Sequence, residues 1–211
     1  MEIKIDKAPT ANNLPCQERK IECVTVFGQI EGHYYLTENQ KTTKYEELLP
    51  RLCDIEQSES VKALLLIVNT MGGDVEAGLA ISEFIAGMSK PTASLVLGGS
   101  HSIGVPQAVC ADRSFIAPSA VLTVHPVRIN GTVIGAPQSY RYLEKMQDRI
   151  SDFIISHSNC TSEKLEELLF SKNDIATDVG SILDSRHAVE VGLIDRVGCV
   201  CDCFDYLNSM I

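Results

Sequence analysis

The sequence lacks any excess of positive charge: 18 Lys and Arg stand against 28 Asp and Glu, for a formal net charge of −10. Binding nucleic-acid phosphates takes clustered cations, so no nucleic-acid partner is expected. Long apolar runs are also missing. The longest, Ala63 to Val68, is far too short to span a bilayer, and no membrane insertion is expected. The first stretch, MEIKIDKAPTANNLPCQERK, has no apolar segment of the kind a secretory signal needs, which makes the cytoplasm the expected compartment. Internal repeats and low-complexity segments are absent as well.

Cysteine is plentiful, at 8 residues, but the spacings that signal metal sites are not there. Thiols in a reducing compartment stay free rather than forming a disulfide framework. Cys199-Val-Cys201-Asp-Cys203 would set three thiols on one side of a strand. That spacing is not the C-x-x-C of zinc ribbons, and no histidine lies beside it. Neither a metal nor a cofactor is expected, and residues 199–211 read as a C-terminal tail.

What is present is enough for one sizeable core: 211 residues, 45% apolar and 22% charged. Residues 1–20 are polar and aperiodic and read as an N-terminal arm. Glu22 to Ile30 is β-branched and reads as a strand. His33 to Thr43 is polar and reads as a loop, and Tyr45 to Ile55 has Leu48, Leu49, Leu52 and Ile55 at helical spacing. Val61 to Val68 is a continuous apolar run, the pattern of a strand covered on both faces. Asn69 to Gly73 reads as a turn, Val75 to Met88 as a helix, and Thr92 to Leu97 as a strand stopped by Gly98-Gly99. A short helix from Ser102 to Ala111 and strands near Ser114 to Ile116 and Val121 to Val124 follow. This rhythm predicts right-handed β-α-β crossovers and a largely parallel sheet.

Asn130-Gly131 between Val127 and Pro137 signals a hairpin. A long helix over Gln138 to Ser156 follows, so residues 127–156 read as a protrusion suited to assembly. Thr161 to Phe170 reads as a capped helix. Ala188 to Gly198 reads as helix, glycine turn and last strand, closing a single domain over residues 21–198.

Three pieces carry chemistry: Gly72-Gly73 after the apolar strand, Ser102 in G-G-S-H-S-I-G-V, and His125 in L-T-V-H-P-V. Ser102 falls at a strand-to-helix turn whose flanking glycines, with Gly72, let backbone approach a substrate. Its hydroxyl lies at the positive end of a short helix. Hydrolysis of a peptide needs donors for a tetrahedral oxyanion, and the N–H groups of Gly73 and Ile103 would supply them. His125, at the end of a neighbouring strand, would take the Ser102 proton and return it to the leaving amine.

These motifs resemble those of the ClpP family of serine peptidases. Asn69-Thr-Met-Gly-Gly-Asp-Val-Glu-Ala-Gly-Leu-Ala-Ile is similar to its N-S-P-G-G-x-x-x-A-G-x-x-I stretch. Gly98-Gly-Ser-His-Ser102-Ile-Gly-Val resembles its nucleophile turn, and Ala188-Val-Glu-Val-Gly-Leu-Ile-Asp195 its closing A-V-E-Y-G-L-V-D. The match runs from about Val24 to Val197. The H-P-V form and the loop before the glycine pair look closer to the family's translocation-enhancing branch than to housekeeping ClpP.

The resemblance implies an α/β fold, a ClpP/crotonase-like spiral of β-β-α units with a protruding hairpin-plus-long-helix handle at about 127–156. It implies serine endopeptidase activity on peptides or unfolded proteins, a homo-oligomeric ring and a link to export, and leaves an ATPase partner undetermined. Met71 stands where the family has Pro, and Ser100 and His101 where it has alanines, so His101 is placed on the substrate side. Counting back from Ala188, the family's aspartate position falls on Gly180. Asp178, two residues earlier, is the favoured third triad member, with Asp174 and Asp184 as alternatives. Three other readings stand beside this one. An enoyl-CoA hydratase has no need of a Ser–His pair. A Ser–Lys peptidase would use Lys145 or Lys164, and a scaffold would keep the fold without the chemistry.

Overall fold

The computed structural model describes residues 20–37, 39–129, 134–172 and 179–211. Its centre is β1 (Ile21–Glu31) paired in parallel with β3 (Ala63–Gly73), which pairs in parallel with β4 (Thr92–His101). Outside β1 lies β2 (Thr42–Lys44), and outside β4 lie β5 (Arg113–Ile116) and β8 (Arg196–Val197), all parallel to their neighbours. Crossovers run through α1 (Tyr45–Gln57), α2 (Val75–Ala86) and α3 (Gly104–Val109), as the strand–helix alternation requires.

The apolar run in β3 is covered on both faces, as its lack of alternation demands. Leu64, Leu66 and Val68 join the larger core with α1, α2 and α3. Ala63 and Leu65 face the other way, into a smaller core with Ala93, Leu95 and Phe115. Each of these leucines is fully buried, which stabilises the fold by about 1.5–3 kcal/mol apiece before entropy is counted.

The lid of the smaller core is α7 (Val200–Met210), formed by residues expected to be a tail. Cys203 and Leu207, one helical turn apart, are fully buried on the sheet. Cys201 and Cys203 therefore lie on a helix rather than a strand, and Cys199 is its N-cap. Cys203 points inward, its thiol pushed up to about 12 by burial, while Cys199 and Cys201 are exposed. Among the described residues no group of His, Cys, Asp and Glu is arranged to hold a metal ion.

Two further features depart from expectation. β3 runs on through Asn69–Gly73, and β4 runs on through Gly98-Gly99 instead of stopping there. Gly98 has φ +90°, so the strand bends at that point and changes partner. Ala93–Val96 pairs with β5, whereas Gly99–His101 pairs with β6 (Val121–Val124). A short strand, β7 (Ser181–Asp184), pairs antiparallel with β6 and leads into α6 (Ser185–Glu190).

The long helix α4 (Ala136–Ser156) is present, followed by α5 (Ser162–Leu169), whose Thr161 cap accepts from the Lys164 amide at 3.2 Å. Phe153 and Ile154 bury its last turns, and Arg149 grips Glu76 of α2 through two bonds of 2.7 and 3.0 Å. The Asn130-Gly131 turn lies outside the described residues, and 127–129 before it are not in a strand. The arm over 1–19 is likewise outside them. No described helix is long and apolar enough to cross a membrane.

Candidate active site

The bend in β4 determines where Ser102, the candidate nucleophile, sits. Past Gly98 the strand leads through His101 to Ser102, which is left-handed at φ 57°, the one described non-glycine residue with positive φ. Two backbone bonds hold it in that conformation. Its N–H donates to the Thr123 carbonyl of β6 at 2.9 Å, and its carbonyl accepts from Val105 N–H at 3.0 Å. A left-handed residue between strand and helix points its side chain out of the turn.

Behind the turn lie the glycines of β3. A Cβ on Gly72 would stand 2.7 Å from the His101 carbonyl oxygen and 2.8 Å from Ser102 Cβ, at φ +89°. Only glycine fits there. The Gly72 N–H is already bonded to Thr70 Oγ1 at 3.0 Å, and the same hydroxyl donates to Gly28 O at 2.6 Å. Thr70 thus organises the glycine turn, a role that sequence reasoning missed although the family carries a hydroxyl there. Asp74, next after the pair, caps α2 by accepting from Ala77 N–H at 2.9 Å.

Gly73, Ser102, Ile103 and His125 all line one cavity of about 180 Å³. Its other walls are mostly aliphatic: Val75, Val105, Val124, Ile150, Ile154 and Leu169, with Gln147 and Arg128 among them. The structure therefore brings together the serine, the histidine and the residues bearing both proposed oxyanion donors. Gly72 and His101 do not line this cavity and instead flank the turn.

His125 Nδ1 lies 2.8 Å from the Pro126 carbonyl oxygen. A carbonyl only accepts, so the bond requires the proton on Nδ1. The neutral imidazole then keeps its Nε2 lone pair for another partner. Among the described residues no hydrogen bond joins the Ser102 hydroxyl to the imidazole. Such contacts tighten when substrate binds.

His101 pairs with Thr123 Oγ1 at 2.7 Å across the β4–β6 register. Burial and then the nearby His125 charge lower its pKa from the usual 6.5. A depressed histidine pKa favours folding above pH 6.5, and that stability is lost as pH falls through the folded value. We therefore expect thermal stability to drop on acidification below about pH 6.5. His101→Asn should flatten part of that drop in a series of melting curves.

Other candidates separate cleanly. Ser100, adjacent to the site, is fully buried with Oγ donating to Gly104 O at 2.6 Å, so it is no second nucleophile. Lys164 pairs with Glu167 at 2.9 Å, Lys145 is exposed on α4, and neither lines the cavity. Asp184 is the N-cap of α6, accepting from Arg186 and His187 N–H at 3.0 and 2.9 Å, which occupies it structurally. Asp178 and Asp174 lie outside the described residues.

A family model for the Clp protease matches residues 18–200. The chain belongs to the Clp protease family. It is 50% identical over 208 residues to "Translocation-enhancing protein TepA" of Halalkalibacterium halodurans, covering 99% of this chain and 81% of that one. It is 27% identical over 157 residues to "ATP-dependent Clp protease proteolytic subunit 1" of Chlamydia muridarum, covering 72% and 78%. The Protochlamydia amoebophila protein of that name is 25% identical over 154 residues, covering 72% of each. Clp-family membership accounts for the mixed α/β architecture and its mostly parallel sheet. Within that frame Met71, where the family motif has proline, is 67% exposed, so its side chain is not part of the packing behind the turn.

Proposed function

We propose that the chain is a serine endopeptidase acting on peptides or unfolded protein segments. Ser102 is the nucleophile, His125 the general base and then acid, and Asp178 the orienting carboxylate. The Gly73 and Ile103 N–H groups receive the oxyanion, and Gly72 and His101 border the bound substrate. The observation that supports this most is the shared cavity. A left-handed serine at a strand-to-helix turn opens on the same space as a histidine whose Nδ1 carries its proton. The aliphatic walls favour an apolar substrate side chain next to the scissile bond.

In the first step Ser102 Oγ would attack the scissile carbonyl carbon while His125 Nε2 takes its proton. Collapse of the tetrahedral species would break the C–N bond, the amine leaving with that proton. Water, activated by the same imidazole, would then release the acyl group and restore Ser102. A fluorophosphonate probe tests the assignment: we expect one covalent adduct, mapped to the peptide containing Ser102. Labelling that maps to another serine would overturn it, and no adduct at all would favour a scaffold.

The name of the TepA relative, a translocation-enhancing protein, motivates a link to protein export. The same reading makes the assembly a homo-oligomeric ring, with the handle helix α4 at subunit contacts. Ile134, just before that helix, and Tyr140 and Tyr142, in its first two turns, are 86%, 67% and 56% exposed, more apolar surface than a solvated protrusion needs. Light scattering should return a mass several times 23.1 kDa. A monomer at micromolar concentration would remove the ring.

A further inference from the structure

Helix α4 reaches the active site through one polar side chain. Gln147 lines the Ser102–His125 cavity together with Ile150 and Ile154, which share its helix face at the three- and seven-residue spacing. Its Oε1 accepts from Val127 N–H at 2.9 Å, and its Nε2 donates to Ser151 Oγ at 3.1 Å. These partners define the amide's orientation, because the Val127 N–H demands an oxygen.

The Val127 N–H and the Pro126 carbonyl belong to a single peptide group. That group is planar, with its N–H and C=O pointing in opposite directions. Its N–H is held by Gln147 and its C=O accepts from His125 Nδ1 at 2.8 Å. Fixing one end of a rigid plane fixes the other. A donor engaged at the nitrogen also polarises the carbonyl and strengthens it as an acceptor. Pro126 adds to the constraint by locking its own φ.

We propose that Gln147 is a positioning residue for His125. Through the Pro126–Val127 peptide it holds the imidazole in the tautomer whose proton is on Nδ1 and whose Nε2 lone pair can accept the Ser102 proton. This rests on the peptidase reading above for its catalytic consequence, but the positioning itself is a property of the fold. It operates alongside a carboxylate on Nδ1, since a peptide carbonyl supplies orientation and no charge. It also ties the handle to the chemistry. α4 is docked on α2 by the Arg149–Glu76 pair and by buried Phe153, and Gln147 transmits that docked position to the imidazole. Displacing α4 along its axis would pull the amide off Val127 and release the peptide plane.

The test compares Gln147→Leu, which fills the same space without an acceptor, with Gln147→Glu, which keeps an oxygen facing Val127. Fluorophosphonate labelling of Ser102 should slow by about 10- to 100-fold in the leucine variant, the usual range for loss of an outer orienting contact. The glutamate variant should label clearly faster than the leucine variant. In parallel, ¹⁵N NMR of the His125 ring, recorded at a pH where its own shifts show it neutral, reports the tautomer directly. The Nδ1–H form should dominate in the unmodified and glutamate proteins and give way to a mixture in the leucine variant. Should the leucine variant fail to fold, Gln147→Asn, one methylene too short to reach, takes its place. Unchanged labelling in the variant without an acceptor, equal slowing in both variants, or an unmoved tautomer would each overturn the proposal. Absence of labelling in the unmodified protein would overturn the peptidase reading alone, and the NMR comparison would still decide the role of Gln147.

Discussion

Ser102→Ala is expected to abolish peptide hydrolysis and fluorophosphonate labelling while leaving fold and assembly intact. The backbone bonds that shape the turn, from Ser102 N–H to Thr123 O and from Val105 N–H to Ser102 O, do not involve the hydroxyl. Alanine can occupy the same left-handed conformation under the same restraints, so circular dichroism and oligomer size should match the unmodified protein. Residual turnover should fall to what binding and oxyanion donors alone provide. Ser100 cannot substitute, because it is fully buried and bonded to Gly104 O. Undiminished hydrolysis by the purified variant would remove Ser102 from the mechanism.

Asp178→Asn is the second large effect. A carboxylate on Nδ1 stabilises the imidazolium that forms as Ser102 loses its proton, and asparagine cannot do so. Where nothing else holds the tautomer, an Asp→Asn change of this kind lowers kcat by about 10⁴. Here the Pro126 carbonyl also accepts from Nδ1, so the tautomer does not invert freely. The expected loss in peptide hydrolysis is therefore at least about tenfold yet short of 10⁴. Asp184→Asn should change the rate little, because that side chain caps α6 and asparagine caps equally well. Near-normal hydrolysis by Asp178→Asn would give the orienting role to another group, with Asp174 next to test.

Much of the architecture was legible because burial leaves a period in the sequence. The unbroken apolar run in β3 announced a strand with helices on one face and a second cover on the other. That second cover, α7, was not recognised. Its inward residues Cys203, Phe204 and Leu207 do have helical spacing, but three cysteines in five residues read first as a thiol cluster. β4 was cut short for a related reason: a glycine pair usually ends a strand, whereas here Gly98 bends one. β7, four residues long and antiparallel, has too few positions to show a period.

At the candidate site, Ser102, His125 and Gly73, which the fold brings to one cavity, could be singled out in the sequence because the proposed chemistry needs particular residue types. Thr70 and Gln147 could not. A threonine in a strand and a glutamine on a long helix are ordinary in composition, and what sets them apart is only the backbone group each one meets. Asp184, carried only as an alternative to Asp178, could not be set aside from sequence, because its carboxylate is engaged by helix amides that only the fold brings to it.

The left-handed turn at Ser102 also places selection for stability and selection for activity in conflict at one position. A side chain at φ 57° costs about 1–2 kcal/mol relative to an ordinary conformation, out of a folding margin of roughly 5–15 kcal/mol. Glycine would relieve that strain with no change elsewhere in the chain. A lineage that abandoned hydrolysis but still relied on the fold would therefore gain by losing its serine. Serine at the single left-handed non-glycine position among the described residues carries a cost that folding alone gives no reason to bear.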